Sequence, residues 1–123
     1  MQHWLLVRTS AGDLRRHSST RRPQIQEGDL ALCYLAGWQT LFGVVEVVGP
    51  PENDPSRTRW QWRIPLRPLL ALEDPHDGPP VEAAGVWPRS LGRHSYVRLT
   101  PEQFVEGRGA VEAAAVDPRR AES

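Results

Sequence analysis

The chain contains no lysine and a single cysteine, and it has no long apolar run. Each absence excludes something. Cys33 alone cannot form an internal disulfide, which fits a reducing compartment, and without a second cysteine a thiolate zinc cluster is ruled out. No apolar stretch approaches the roughly 20 residues of a membrane span. The opening MQHWLLVRTS has only a short apolar run, residues 4–7, before charge intervenes, a poor signal peptide. The expected location is therefore cytoplasmic, with no membrane partner. His3, His17, His76 and His94 lack a metal-binding spacing such as HExxH, and no Gly-rich phosphate loop occurs. No metal and no cofactor are expected.

What is present is arginine, tryptophan, proline and glycine. Fifteen basic residues balance fifteen acidic ones, and every basic residue is Arg. Their distribution is uneven: residues 1–25, 56–72 and 83–98 hold twelve of the fifteen arginines and one acid, Asp13. Acids collect at 73–82 and near the C-terminus. If the three windows converge, they form a basic face able to meet phosphates, a task that suits the planar guanidinium fork.

Twelve Pro and ten Gly divide the 123 residues into short pieces, which favours strands joined by turns within one domain. Residues 3–8, 30–35, 41–48, 60–66 and 96–99 read as strands, the second covered on both faces. Gly43 marks a bulge or a close approach, and Pro65 confines its strand to an edge or to its last residues. Segment 9–24 reads as a long polar loop and 73–85 as a mobile excursion. Thr100, Pro101 and Gln103 open a helix with a capping box, which Gly107 and Gly109 should interrupt. The expected fold class is α+β, mainly β: a small barrel of about five to six strands with one or more short helices. Residues 1–116 form the domain and 117–123 a flexible tail.

Three ordered segments carry a resemblance: His3-Trp4-Leu5-Leu6; Gly28-Asp29-Leu30 leading through Tyr34 to Gly43-Val44-Val45-Glu46-Val47-Val48; and the run from Arg89 to Phe104, RSLGRHSYVRLTPEQF. Together they resemble the EVE domain family, a PUA-like branch related to YTH and ASCH domains. The resemblance implies a pseudo-barrel with a concave pocket for a flipped-out, often modified, nucleobase. It also implies a bacterial setting alongside defence or DNA-modification systems. One departure stands out: many EVE domains carry Trp and Asn in the loop after the first strand, whereas residues 13–22 here, DLRRHSSTRR, hold no aromatic residue.

The candidate ligand-binding residues are Trp38, Tyr34, Ser95, Trp60, Trp87 and His94. Trp38 lies in a polar turn between two apolar strands and serves either as a stacking surface or as a plug over the barrel mouth. Trp60 and Trp62 share a face, with Trp62 assigned to the core and Trp60 to the pocket rim. Trp87 is a lid or an anchor, and Trp4 belongs to the core. Tyr34 and Ser95 match polar positions beside the family's pocket, and the Tyr34 hydroxyl can donate or accept. Arg15, Arg16, Arg21, Arg22, Arg89 and Arg93 are the phosphate-binding candidates. Cys33, inside an apolar strand, should be inert, and the ASCH-type amidohydrolase lysine is missing. The expectation is a non-catalytic module that binds a modified base in DNA or RNA. The alternative is a small ASCH-like enzyme acting on a free modified nucleoside.

Overall fold

The two richest apolar runs pair with each other. In the computed structural model, which describes residues 1–8, 12, 14–19, 22–92 and 94–116, Leu30–Leu35 and Thr40–Val47 form an antiparallel hairpin. In chain order the strands are β1 (His3–Leu6), β2 (Arg16–Ser19), β3 (Leu30–Leu35), β4 (Thr40–Val47), β5 (Glu52–Asn53), β6 (Trp62–Ala71) and β7 (Tyr96–Leu99). They make one sheet of order β2-β6-β4-β3-β1-β7, with β5 beside β6. Pairing is antiparallel except between β1 and β3, which run parallel. The sheet curls until Tyr96 on β7 meets His17 on β2 edge-on, ring centroids 6.3 Å apart, so side chains bring the two ends of the sheet together. With helix α1 (Pro101–Val116) against it, the result is an α+β, mainly β, pseudo-barrel.

Alternation along the central strands sorts side chains into two cores. Leu5, Leu32, Leu41 and Val44 face one way and pack with Val81, Ala84, Leu91, Phe104 and Val111 from the helical segments. Trp4, Leu6, Ala31, Cys33, Phe42 and Val45 face the other and pack with Ile25, Ile64 and Leu66. Both faces of β3 are therefore covered, which explains its unbroken apolar sequence.

Asp29 fastens the parallel pair. Its carboxylate, 3% exposed, accepts from the Gln2 amide at 3.0 Å, the Trp4 indole at 2.8 Å and the Gln26 amide at 2.9 Å. Burial pushes this carboxyl up, but those donors and the N-terminal ammonium outweigh it and hold it below the ordinary value.

Several expectations change. Within 9–24, residues Arg16–Ser19 form a strand, because His17 and Ser19 turn inward and pair along β6; a period-2 pattern written in polar residues looks like a loop. Pro65 lies inside β6, not at its end: its ring faces Gly49, where a Cβ would come 3.1 Å from Pro65 Cγ, and its carbonyl accepts the Val48 amide. Pro68 falls at the register shift between Val44 and Val45, where a ladder donor is dispensable. Trp62 is half-buried and outside both cores. The excursion at 73–85 is packed, with 3₁₀ turns at Pro75–Asp77 and Val81–Ala84 and with Val81 and Ala84 fully buried. The capping box forms as expected, Gln103 N to Thr100 Oγ1 at 3.1 Å and Thr100 N to Gln103 Oε1 at 2.9 Å.

Helix α1 runs unbroken through both glycines, and the two serve different ends. Gly107 is buried where the helix crosses the sheet: a Cβ there would sit 2.5 Å from Leu32 Cδ1 and 2.9 Å from Ala84 Cβ. Gly109 faces open space. We expect Gly107→Ala to destabilise by about 1–3 kcal/mol through overpacking, despite alanine's better helix propensity. Gly109→Ala should stabilise by about 0.5–1 kcal/mol. Urea unfolding of the two variants checks both signs.

His17 sets an acid limit. It is 1% exposed, and burial pushes its imidazole from 6.5 down to about 4. Between those values the unfolded chain takes up a proton that the folded chain refuses, so stability falls as pH falls through that window. The loss is about 3 kcal/mol. Asp29, with its depressed carboxyl, adds a further loss at lower pH. Urea midpoints measured from pH 7.5 to 4 should drop accordingly, and His17→Gln should flatten the drop above pH 4.

Candidate binding cleft

Because β1 and β3 are parallel, their C-terminal ends open side by side. The residues that follow them, Val7 and Arg8 after β1 and Ala36 and Gly37 after β3, line a cleft of about 640 Å³ together with Tyr34 and Leu35. Gln39 closes one side, and Pro88, Leu91 and Gly92 of the 3₁₀ turn Pro88–Leu91 and its cap form the wall opposite. The register shift between Cys33 and Tyr34 falls where Cys33 pairs with Gly43 and Tyr34 with Leu41, skipping Phe42. This bulge, at the glycine that signalled it, re-aims Tyr34 at the end of its strand. A Cβ on Gly43 would approach the Leu70 carbonyl oxygen to 3.3 Å, so the glycine serves close approach as well.

The cleft is mostly apolar, with three polar side chains: Tyr34, Gln39 and Arg8. Tyr34 is buried; desolvation, then the negative charge of Glu82, raises its phenol above the ordinary value, so it stays protonated and able to donate. Arg8 is the charged lining residue. Its Nη2 lies 3.5 Å from the Gly92 carbonyl oxygen, and its guanidinium carbon lies 6.0 Å from the centroid of the Trp60 ring. Trp60 thus stands one side chain beyond the lining.

Of the six ligand-binding candidates, Tyr34 alone lines the cleft. Trp38, 63% exposed, sits between lining residues Gly37 and Gln39, but its ring meets His76 edge-on at 4.3 Å. Asp74 holds that histidine, Oδ1 to Nδ1 at 2.8 Å. Trp87, 70% exposed, precedes lining residue Pro88, and its carbonyl accepts the Ser90 hydroxyl at 2.7 Å. Ser95 lies outside the lining but positions it: its carbonyl accepts the amide of Val7 at 2.9 Å. His94 is exposed, its amide donating to Leu91.

The arginines divide. Arg89 is exposed in the wall's 3₁₀ turn. Arg15 and Arg16 lie at and on β2, where the Arg15 carbonyl accepts the Leu66 amide and so serves the sheet. Arg22 stands over Trp62, 5.7 Å from the ring centroid. Arg21 and Arg93 fall outside the described residues. Arg8 escaped the sequence reading, although the charge that ends the first apolar run was its available signal. Cys33 is fully buried, its thiol pushed up to about 12 by desolvation, so it offers no thiolate. Among the described residues no group of three His, Cys, Asp or Glu is placed to hold a metal ion. Among them, too, no helix is long and apolar enough to cross a membrane.

Backbone strain gathers at the same place. Among the described residues only two that are not glycine have left-handed backbone, Gln39 at φ 58° and Trp60 at φ 57°. Gln39 lines the cleft and Trp60 lies against Arg8. For a bulky side chain this region costs about 1–2 kcal/mol, and such strain collects at ligand sites.

Comparison with known proteins yields the fold alone. No family model matches the chain, and no curated protein matches it. Among solved structures, the NMR structure of Rpa0253 from Rhodopseudomonas palustris is similar, with a TM-score of 0.59 over 95% of each chain and 15% sequence identity.

Proposed function

We propose that this chain is an EVE-type module that captures a modified nucleobase of DNA or RNA in the cleft between β1, β3 and the Pro88–Leu91 turn, without catalysing a reaction on it. The observation that carries the reading is the cleft's composition. A volume of about 640 Å³ lies in the range of small-molecule sites. Its apolar walls, Val7, Leu35, Pro88 and Leu91, suit the faces of a ring. The Tyr34 hydroxyl and the Gln39 amide are the kinds of group that read a base edge, and Arg8 supplies a cation for an adjoining phosphate. The three-segment resemblance points the same way and suggests service beside a bacterial defence or DNA-modification system. In place of the aromatic residue missing from 13–22, Trp38 and Trp87 flank the lining with exposed indoles. A rotation of either ring over the cleft would supply the stacking surface.

The test is a titration of single- and double-stranded oligonucleotides carrying methylated, hydroxymethylated or carboxylated bases, beside their unmodified parents, followed by intrinsic tryptophan fluorescence. One modified base should quench the signal where its parent does not, and affinity should fall linearly in log–log coordinates as salt rises. Tyr34→Phe, which keeps the ring and removes the hydroxyl, should weaken that binding by roughly 5- to 10-fold, the worth of one hydrogen bond. Failure of every modified strand to bind better than its parent overturns the reading. Time-dependent loss of a free modified nucleoside would favour the enzyme instead.

A further inference from the structure

Two arginine–tryptophan pairs lie close together in the chain, and one of them includes the cleft's own Arg8. Arg8, which lines it, stands 6.0 Å from the Trp60 ring, and two residues along the chain the Trp62 ring has Arg22 at 5.7 Å. Both indoles are half-buried, so each is anchored while part of it meets solvent. Their cations differ from those of Arg67 and Arg108. The backbone of Arg63 lies in register with Glu52. The carboxyl of Asp54, lowered first by the Ser56 hydroxyl and amide, is lowered further by the charges of Arg63 and Arg57. Arg67 is bound to Glu46 and Arg108 to Glu112. Among the described residues the ion pairs engage neither Arg8 nor Arg22.

The strain at Trp60 is a second observation. A tryptophan in left-handed backbone is not what local preference selects, and the same turn brings its ring beneath a cleft-lining cation. Cations interleaved with partly open indoles, leading from a pocket, have the composition of a single-strand path: bases stack on the rings, and guanidinium forks take the phosphates between them. A duplex keeps its base faces stacked internally and has none to offer.

We propose that Arg8, Trp60, Trp62 and Arg22 form a track that holds the single-stranded nucleotides adjoining the cleft, without regard to their sequence. This inference builds on the cleft reading, because the track begins at the cleft's own Arg8, but it is tested separately with unmodified oligothymidylate of eight residues. That strand should quench tryptophan fluorescence and bind more tightly than a duplex of equal length. Trp62→Ala and Trp60→Gly should each weaken binding by roughly 5- to 150-fold, the loss of one base stack. Trp60→Gly also relieves the backbone, so thermal melting confirms that it remains folded. Arg8→Gln and Arg22→Gln, at exposed positions, should each lower the slope of log affinity against log salt by about 1. Arg108→Gln should leave binding unchanged.

The track is overturned if oligothymidylate does not bind, if the duplex binds as well, or if the four variants bind like the parent protein. A parallel titration with 5-methylcytidine monophosphate separates the two ideas. Retained binding of that nucleotide, with the four variants indifferent to oligothymidylate, removes the track and keeps the cleft. Oligothymidylate binding that responds to the variants, with no modified base preferred over its parent, keeps the track and removes the cleft reading.

Discussion

The parallel pairing of β1 with β3 is the constraint from which the site follows, and a single buried carboxylate secures it. Parallel strands need a long connection between them, so their register is not set by a tight turn. Here residues 7–29 intervene, and Asp29, the last residue before β3, accepts from the amide just before β1, the indole within β1 and the amide of Gln26. Three donors on one carboxylate tie both strand beginnings together. A slip by one residue would exchange the sets of β1 that face the two cores, placing Leu5 where Trp4 packs against Tyr96. With the beginnings fixed, the ends are fixed too, and Val7, Arg8 and the turn after Tyr34 face one another across the cleft.

What could be seen in the residues follows from how each element is stabilised. β3, β4, β7 and the start of α1 were legible because their stability is local or apolar: valine runs, a capping box, a glycine at a bulge. β2 was hidden because its inward residues are His17 and Ser19, which read as loop until β6 lies beside them. Gly107 was misleading for a related reason. Propensity treats a glycine as a weak point, whereas the approach of the helix to Leu32 and Ala84 demands the missing methyl. In both cases the deciding partner is distant in sequence, and no local pattern carries it.

The candidate site was harder to read than the fold. Tyr34 was accessible because it lies near the end of a recognisable strand, at a position that the family resemblance marks as polar and beside the pocket. The tryptophans were not, since composition gives their number but not their partners. Trp4 is a buried donor to Asp29, Trp38 leans on His76, and Trp60 and Trp62 each meet an arginine. The arginines of the basic windows differ in surroundings: Arg67 is bound to Glu46 and Arg63 lies in register with Glu52, while Arg8 and Arg22 stand against indoles.

Charge and strain together give the strongest reason to place function at this end of the barrel. A folded chain sheds local conflicts wherever selection is indifferent to them, and glycine is the easy remedy for a left-handed residue. Gly28 and Gly85 show that remedy in use at ordinary turns. Gln39 and Trp60 do not, although a side chain at either position makes the backbone conformation unfavourable. Each retained side chain faces the cleft or the arginine that lines it, where a glycine would present nothing. The cost borne at those two positions is intelligible if what they present, an amide at the cleft wall and an indole beneath a guanidinium, is used by something that enters from outside.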